Sequence, residues 1–126
     1  MKQIIVVNTI LKMPEGKRIA QVARASIGAF LEAGRDARKT WLHEGRPKIV
    51  LNAFDTKDLQ DLLSKAERRK LPVYLVGETG QAAAAVNNVA CLGIGPAHDS
   101  QINELMKILN FYCWVHENVV NVRLAG

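Results

Sequence analysis

Acidic side chains are in short supply in this chain of 126 residues: 12 Asp and Glu stand against 17 Lys and Arg, leaving a formal charge of +5. That balance disfavours an acidic partner and favours a polyanionic one. No apolar run approaches the ~20 residues of a membrane-spanning helix, so no membrane association is expected. The opening stretch Met1-Lys2-Gln3-Ile4-Ile5-Val6-Val7 is too short for a signal peptide, polar residues follow at once, and it reads as a strand. Cysteine is scarce as well. Cys91 and Cys113, each among apolar neighbours, give no disulfide framework and no metal-ligand spacing. Buried free thiols in a reducing cytoplasm are the expectation. His43, His98 and His116 are scattered without metal-site spacing, so neither a metal nor a cofactor is expected. No Ser-His-Asp or Cys-His arrangement can be assembled, and no internal repeat or linker interrupts the chain.

What is present is globular: 48% hydrophobic and 23% charged residues, at a length that buries a core without staples. Ile4 to Asn8 is a continuous apolar run, as expected of a strand covered on both faces. Ile19, Val22, Ala23, Ile27, Phe30 and Leu31 then recur at helical spacing and predict a buried stripe, with Gly34 as the stop. Asp36 is placed to cap a short second helix running to about His43, and Lys48 to Phe54 reads as the second strand. Asp55 or Thr56 caps a third helix whose stripe is Leu59, Leu62, Leu63 and Ala66. Pro72–Val76 and Val89–Gly95 are the third and fourth strands, expected to pair antiparallel because no convincing helix separates them. Asp99 or Ser100 caps a last helix bearing Ile102, Leu105, Met106 and Leu109. Strands alternating with helices imply a layered α/β domain with right-handed crossovers. Residues 1–110 form that domain, and residues 111–126 extend it, with a further strand over Val119–Leu124.

Three places can carry chemistry. Lys17 lies in the first turn of the first helix, where a cation opposes the helix dipole at a cost of ~0.3–1 kcal/mol, and Arg18 compounds the conflict. A local rule broken without local gain points to function, and free N–H groups at the same helix start suit a phosphate or an oxyanion. Glu78 lies in Gly77-Glu78-Thr79-Gly80-Gln81, a turn after the third strand, where a carboxylate can orient or deprotonate water or pair with Lys17. Gly93-Ile94-Gly95-Pro96 allows close backbone approach to a ligand and a fixed exit from the strand, although its spacing is not that of a dinucleotide site. Trp41 and Trp114 read as packing residues.

Gly16-Lys17 with Ala20-Gln21, Trp41-Leu42-His43-Glu44-Gly45 before Lys48-Ile49-Val50-Leu51, and Leu92-Gly93-Ile94-Gly95-Pro96 stand in that order in the chain. Together they resemble the archaeal and eukaryotic type of peptidyl-tRNA hydrolase over roughly Lys2 to Leu109. The resemblance implies a three-layer α/β/α sandwich on a four-stranded mixed β-sheet. It also implies metal-independent cleavage of the ester between a peptide and the 3′ end of tRNA. Lys17 matches the family's active-site lysine. Glu78-Thr79-Gly80 stands where the family has Asp-Ala-Gly, Gln81-Ala82-Ala83 where it has a basic residue then Thr-Gln, Ala90 where it has a second threonine, and Arg24 where a histidine is usual.

The reading is thus a peptidyl-tRNA hydrolase-like enzyme with Lys17, Glu78 and Gln81 as catalytic residues. Lys12, Arg18, Arg24 and Arg46 are the expected contacts to tRNA phosphates. The hydroxyls absent at Ala82 and Ala90 motivate a second reading, a catalytically impaired member that binds RNA or a protein, and a hydrolase of another small ester or amide is a third. A homodimer is the default expectation for such a domain.

Overall fold

The computed structural model describes residues 1–83, 88–107 and 122–124. Its centre is strand β1 (Lys2–Asn8), whose residues Gln3 to Asn8 are all buried, as a strand covered on both faces requires. β1 pairs in parallel with β2 (Lys48–Ala53) on one side and antiparallel with β4 (Val89–Ala97) on the other. β4 in turn pairs antiparallel with β3 (Val73–Gly77), as expected of two strands with no helix between them. A short β5 (Val122–Leu124) adds antiparallel to the outer edge of β2, so the order is β3-β4-β1-β2-β5. The four-stranded mixed sheet is therefore present and gains a fifth edge strand from the C-terminal extension. Residues 119–121 of the expected last strand, Leu109, Cys113, Trp114 and His116 lie outside the described residues.

Helix α1 (Glu15–Glu32) covers the β1-β4-β3 part of one face, with α2 (Arg35–His43) beside it through a Phe30–Trp41 ring contact at 5.7 Å. Helices α3 (Thr56–Arg68) and α4 (Asp99–Met106) cover the other face, completing the α/β/α layers. α3 buries Leu59, Leu62 and Ala66 as its periodicity predicts, each leucine contributing ~1.5–3 kcal/mol. Asp55 caps α3, its carboxylate accepting from the Lys57 N–H at 2.8 Å. Among the described residues no helix is long and apolar enough to cross a membrane.

Two predicted caps fall elsewhere. Gly34 is not simply the stop of α1: it is the N-cap of α2, its carbonyl accepting from the Arg38 N–H, so Asp36 sits within the first turn. Likewise His98 precedes α4 and Asp99 is its first residue. The Asp99 carboxylate is instead 3.1 Å from the Met1 ammonium, which also meets Glu44 at 3.0 Å. Burial works against that ammonium, but the hydrogen bonds from the two carboxylates prevail and raise its pKa.

The buried stripe predicted for α1 is largely reversed: of its six residues only Val22, which packs against the core, and Phe30, which packs on Trp41, are half-buried. Ile19, Ile27 and Leu31 are 62, 55 and 63% exposed, whereas Gln21, Ala25, Gly28 and Ala29 face the sheet. The reason is close approach. A Cβ at Gly93 would meet the Ala25 carbonyl oxygen at 2.4 Å, and one at Gly28 would meet the Tyr74 ring at 2.2 Å. The helix settles with its small residues against the β4 backbone and the Tyr74 ring, and Ile19, Ile27 and Leu31 are left on the outside. Gly93 therefore serves helix packing. The Gly-Pro pair is not a strand exit either, because β4 continues through Pro96 to Ala97.

Gly93→Ala is expected to destabilise the fold by ~1–3 kcal/mol, since the clash is with backbone that cannot rotate away. Gly16→Ala, with open space around its Cβ, is expected to cost less than ~0.5 kcal/mol. Urea denaturation of the two variants checks both, and equal midpoints would contradict the packing argument.

Candidate active site

The C-terminal ends of β1, β2 and β3 and the start of β4 meet at one end of the sheet, the end where ligands bind in open α/β folds. Two residues stiffen it. Asn8, 5% exposed at the end of β1, donates to the Val89 carbonyl at 2.9 Å and accepts from the Ile10 N–H at 3.1 Å. Both the N–H and the hydroxyl of Thr9 donate to the Ala53 carbonyl. The loop carrying Lys12 thus leaves from a fixed base. It ends at Pro14, whose φ of −57° suits a helix entry but whose side chain caps nothing. The first N–H groups of α1 have no side-chain cap, and Lys17 and Arg18 are exposed on this same turn. Arg18 lies near enough to Cys91 to favour its thiolate. Burial prevails, however, and pushes the Cys91 thiol up to about 12, so the cysteine is inert.

Beside this helix start is the turn from Gly77 to Gln81. Gly77 N–H donates to the Gln81 carbonyl at 2.7 Å, Gly80 N–H to the Gly77 carbonyl at 2.9 Å, and Glu78 N–H to the Asn88 carbonyl at 3.1 Å. Gly80 takes φ +89°, a value that favours glycine. From α1, the Gln21 side-chain amide donates to the Glu78 carbonyl at 3.1 Å, with the Gly77 carbonyl at 3.5 Å. Gln21 is one helical turn beyond Lys17, so its amide ties the Lys17 end of α1 to the main chain of Glu78. The Glu78 side chain is exposed, and among the described residues no ion pair joins it to Lys17.

Lys12, Lys17, Arg18, Glu78 and Gln81 are all at this end of the sheet. Arg24 reaches it from two turns down α1, donating to the Gln21 amide oxygen at 2.9 Å and lying against Gly80. Arg46 does not belong to the group. It precedes β2, whose Lys48 pairs with Gln3 at the start of β1, and therefore stands at the opposite end of the sheet. Gly95-Pro96 is also at that far end, paired near Lys2 and Ile4, and has no part in the site. Arg69 is engaged with Glu104 at 2.8 Å. Gln21 and Asn8 are the site residues that pattern reading missed. Asn8 carries a signal, a polar side chain closing a run of buried positions, whereas Gln21, 1% exposed between partly buried neighbours, carries none.

Near the far end of the sheet, an open groove of about 480 Å³ runs between α1 and α2. Ile19, Ile27, Phe30, Trp41 and Leu42 line it, and Lys48 sits over the Trp41 ring at 5.2 Å. Burial and the neighbouring Arg46 lower the pKa of Lys48. Among the described residues no group of His, Cys, Asp and Glu converges in a way that could hold a metal ion.

A sequence model of the family described as peptidyl-tRNA hydrolase PTH2 matches residues 1–112. A peptidyl-tRNA hydrolase of Methanopyrus kandleri is 43% identical over 106 residues, covering 82% of this chain and 91% of the relative. Those of Haloquadratum walsbyi and Metallosphaera sedula are 38% and 34% identical, over 112 and 110 residues. They cover 89% and 83% of this chain and 100% and 94% of their own.

Proposed function

Because the chain belongs to the peptidyl-tRNA hydrolase PTH2 family, we propose that it frees peptide from tRNA by hydrolysing the ester between them at the Lys17–Glu78 end of the sheet. The observation that carries this reading is the Gln21 amide, which links the helix turn bearing Lys17 to the main chain of Glu78. A cation and a carboxylate held on one rim suit ester hydrolysis. Glu78 takes a proton from water as the water oxygen bonds to the ester carbonyl carbon. The carbonyl oxygen becomes an oxyanion, stabilised by the Lys17 ammonium and by free N–H groups of the α1 start. Collapse of the tetrahedral intermediate breaks the bond to the ribose oxygen, which regains the proton and leaves as the tRNA hydroxyl. Gln81 orients the water. Lys17 can instead hold the terminal phosphate of the tRNA, in which case the helix N–H groups alone meet the oxyanion.

Lys12, Arg18 and Arg24 surround this rim and are the proposed contacts to acceptor-stem phosphates, a duplex read by shape and charge. Arg46, at the other end of the sheet, is dropped from that set. Such a substrate places the work of the protein in the cytoplasm.

The proposal extends to a homodimer joined through the outer face of α1. Ile19, Ala23, Ile27 and Leu31 form a four-residue ridge along this 18-residue helix, opposite the face that meets the sheet. Such ridges interdigitate with a copy of themselves at about −50°, and the small Ala23 lets the helices approach. A two-fold pairing buries the same ridge on both chains.

Lys17→Ala is expected to lower kcat for an N-blocked aminoacyl-tRNA by about 10²–10³-fold while weakening tRNA binding only a few-fold. Equal loss of hydrolysis and binding would contradict its catalytic role. For the dimer, light scattering should find twice the chain mass for the wild type and a folded monomer for Ile27→Glu. A monomeric wild type at micromolar concentration would contradict the pairing.

A further inference from the structure

We infer that Gln21 and Arg24 act as a positioning pair that sets the Gly77–Gln81 turn, and with it the direction in which Glu78 projects. The inference rests on the proposed role of Glu78 and adds two residues that do not contact the reacting atoms. Gln21 is 1% exposed and cannot meet substrate. Its amide has two distinct ends, and one neighbour decides which way it points. A guanidinium only donates, so Arg24 at 2.9 Å requires the Gln21 oxygen on its side. The NH₂ end is thereby turned to the turn carbonyls, 3.1 Å from that of Glu78 and 3.5 Å from that of Gly77. A flipped amide would set oxygen against oxygen.

Arg24 contributes a second contact. A Cβ built on Gly80 would fall 2.7 Å from its guanidinium nitrogen and 3.0 Å from its central carbon, so the guanidinium lies across Gly80. One arginine thus fixes the orientation of the amide and covers the residue with φ +89° that makes the turn. The arrangement matters for this sequence in particular. Glutamate has one more rotatable bond than aspartate, so its carboxylate depends more heavily on where its backbone is held. A displacement of about an ångström at a reacting group can cost about 10²-fold in rate.

The test combines steady-state kinetics with amide hydrogen exchange of the turn. Gln21→Leu retains a side chain of similar size but cannot donate. It is expected to lower kcat by about 10–100-fold with KM changed less than about 3-fold, and to speed exchange of the Glu78 and Gly80 amides by about 10-fold or more. Arg24→Met, at an exposed position that does not threaten folding, is expected to speed the same two amides, and Arg24→Lys to restore them partly. Unchanged exchange at Glu78 and Gly80 in the folded variants would overturn the inference, as would a loss expressed only in KM for Gln21→Leu, whose side chain is buried and meets no substrate. Glu78→Gln separates the two layers: if it retains full kcat while Gln21→Leu still loosens the turn, the role of Glu78 falls and the brace stands.

Discussion

The missing side chain at Gly93 lets helix α1 rest directly on the middle of β4, with the Ala25 carbonyl where a Cβ would otherwise be. Most of the remaining architecture follows from that contact. It is too close for large side chains, so the helix presents Ala25, Gly28 and Ala29 inward and leaves Ile19, Ile27 and Leu31 outside. It also fixes the height of α1 over the sheet. One turn above Ala25, Gln21 is then within hydrogen-bond reach of the β3–β4 turn, and one turn above that, Lys17 stands free at the rim. The meeting of Lys17 and Glu78 at one edge is in this sense a consequence of packing: the same seating that stabilises the layer brings them there.

The chemistry divides between rigid and free parts. Buried groups, Asn8 and Gln21, are spent on backbone: each holds the carbonyl of a neighbouring segment and leaves no polar atom unsatisfied among the described residues. The exposed groups, Lys17 and Glu78, have charges free to meet a substrate. Such a division between braced backbone and free charge is what a preorganised site requires.

Much of this was legible in the sequence. β1 was marked by its continuous apolar run, α3 by its stripe and Asp55 cap, and the place of Lys17 in the first turn of α1 by the helical spacing that follows it. The antiparallel β3–β4 pair followed from the lack of a helix between them. The inner face of α1 was not legible, because hydrophobic periodicity assumes that large apolar residues are the buried ones. Here the deciding quantity was close approach, of the Tyr74 ring at Gly28 and of the Ala25 backbone at Gly93, which has no periodic signature. That Arg46 stands at the opposite end of the sheet was not legible for a related reason, since the clustering of charges in sequence does not reveal which end of a sheet they occupy. Gln21 was overlooked as a site residue because its partners are main-chain carbonyls 56 and 57 residues away, and no local pattern points to them.

The central claim is that Lys17 and Glu78 act on one and the same ester cleavage. It is tested most directly by a double-mutant cycle in kcat/KM for a purified N-blocked aminoacyl-tRNA, using Lys17→Met, Glu78→Gln and the pair. Groups that serve one transition state are strongly non-additive, so the double variant is expected to be little slower than the slower single variant. If the two losses instead multiply, the residues act independently and the shared site is wrong.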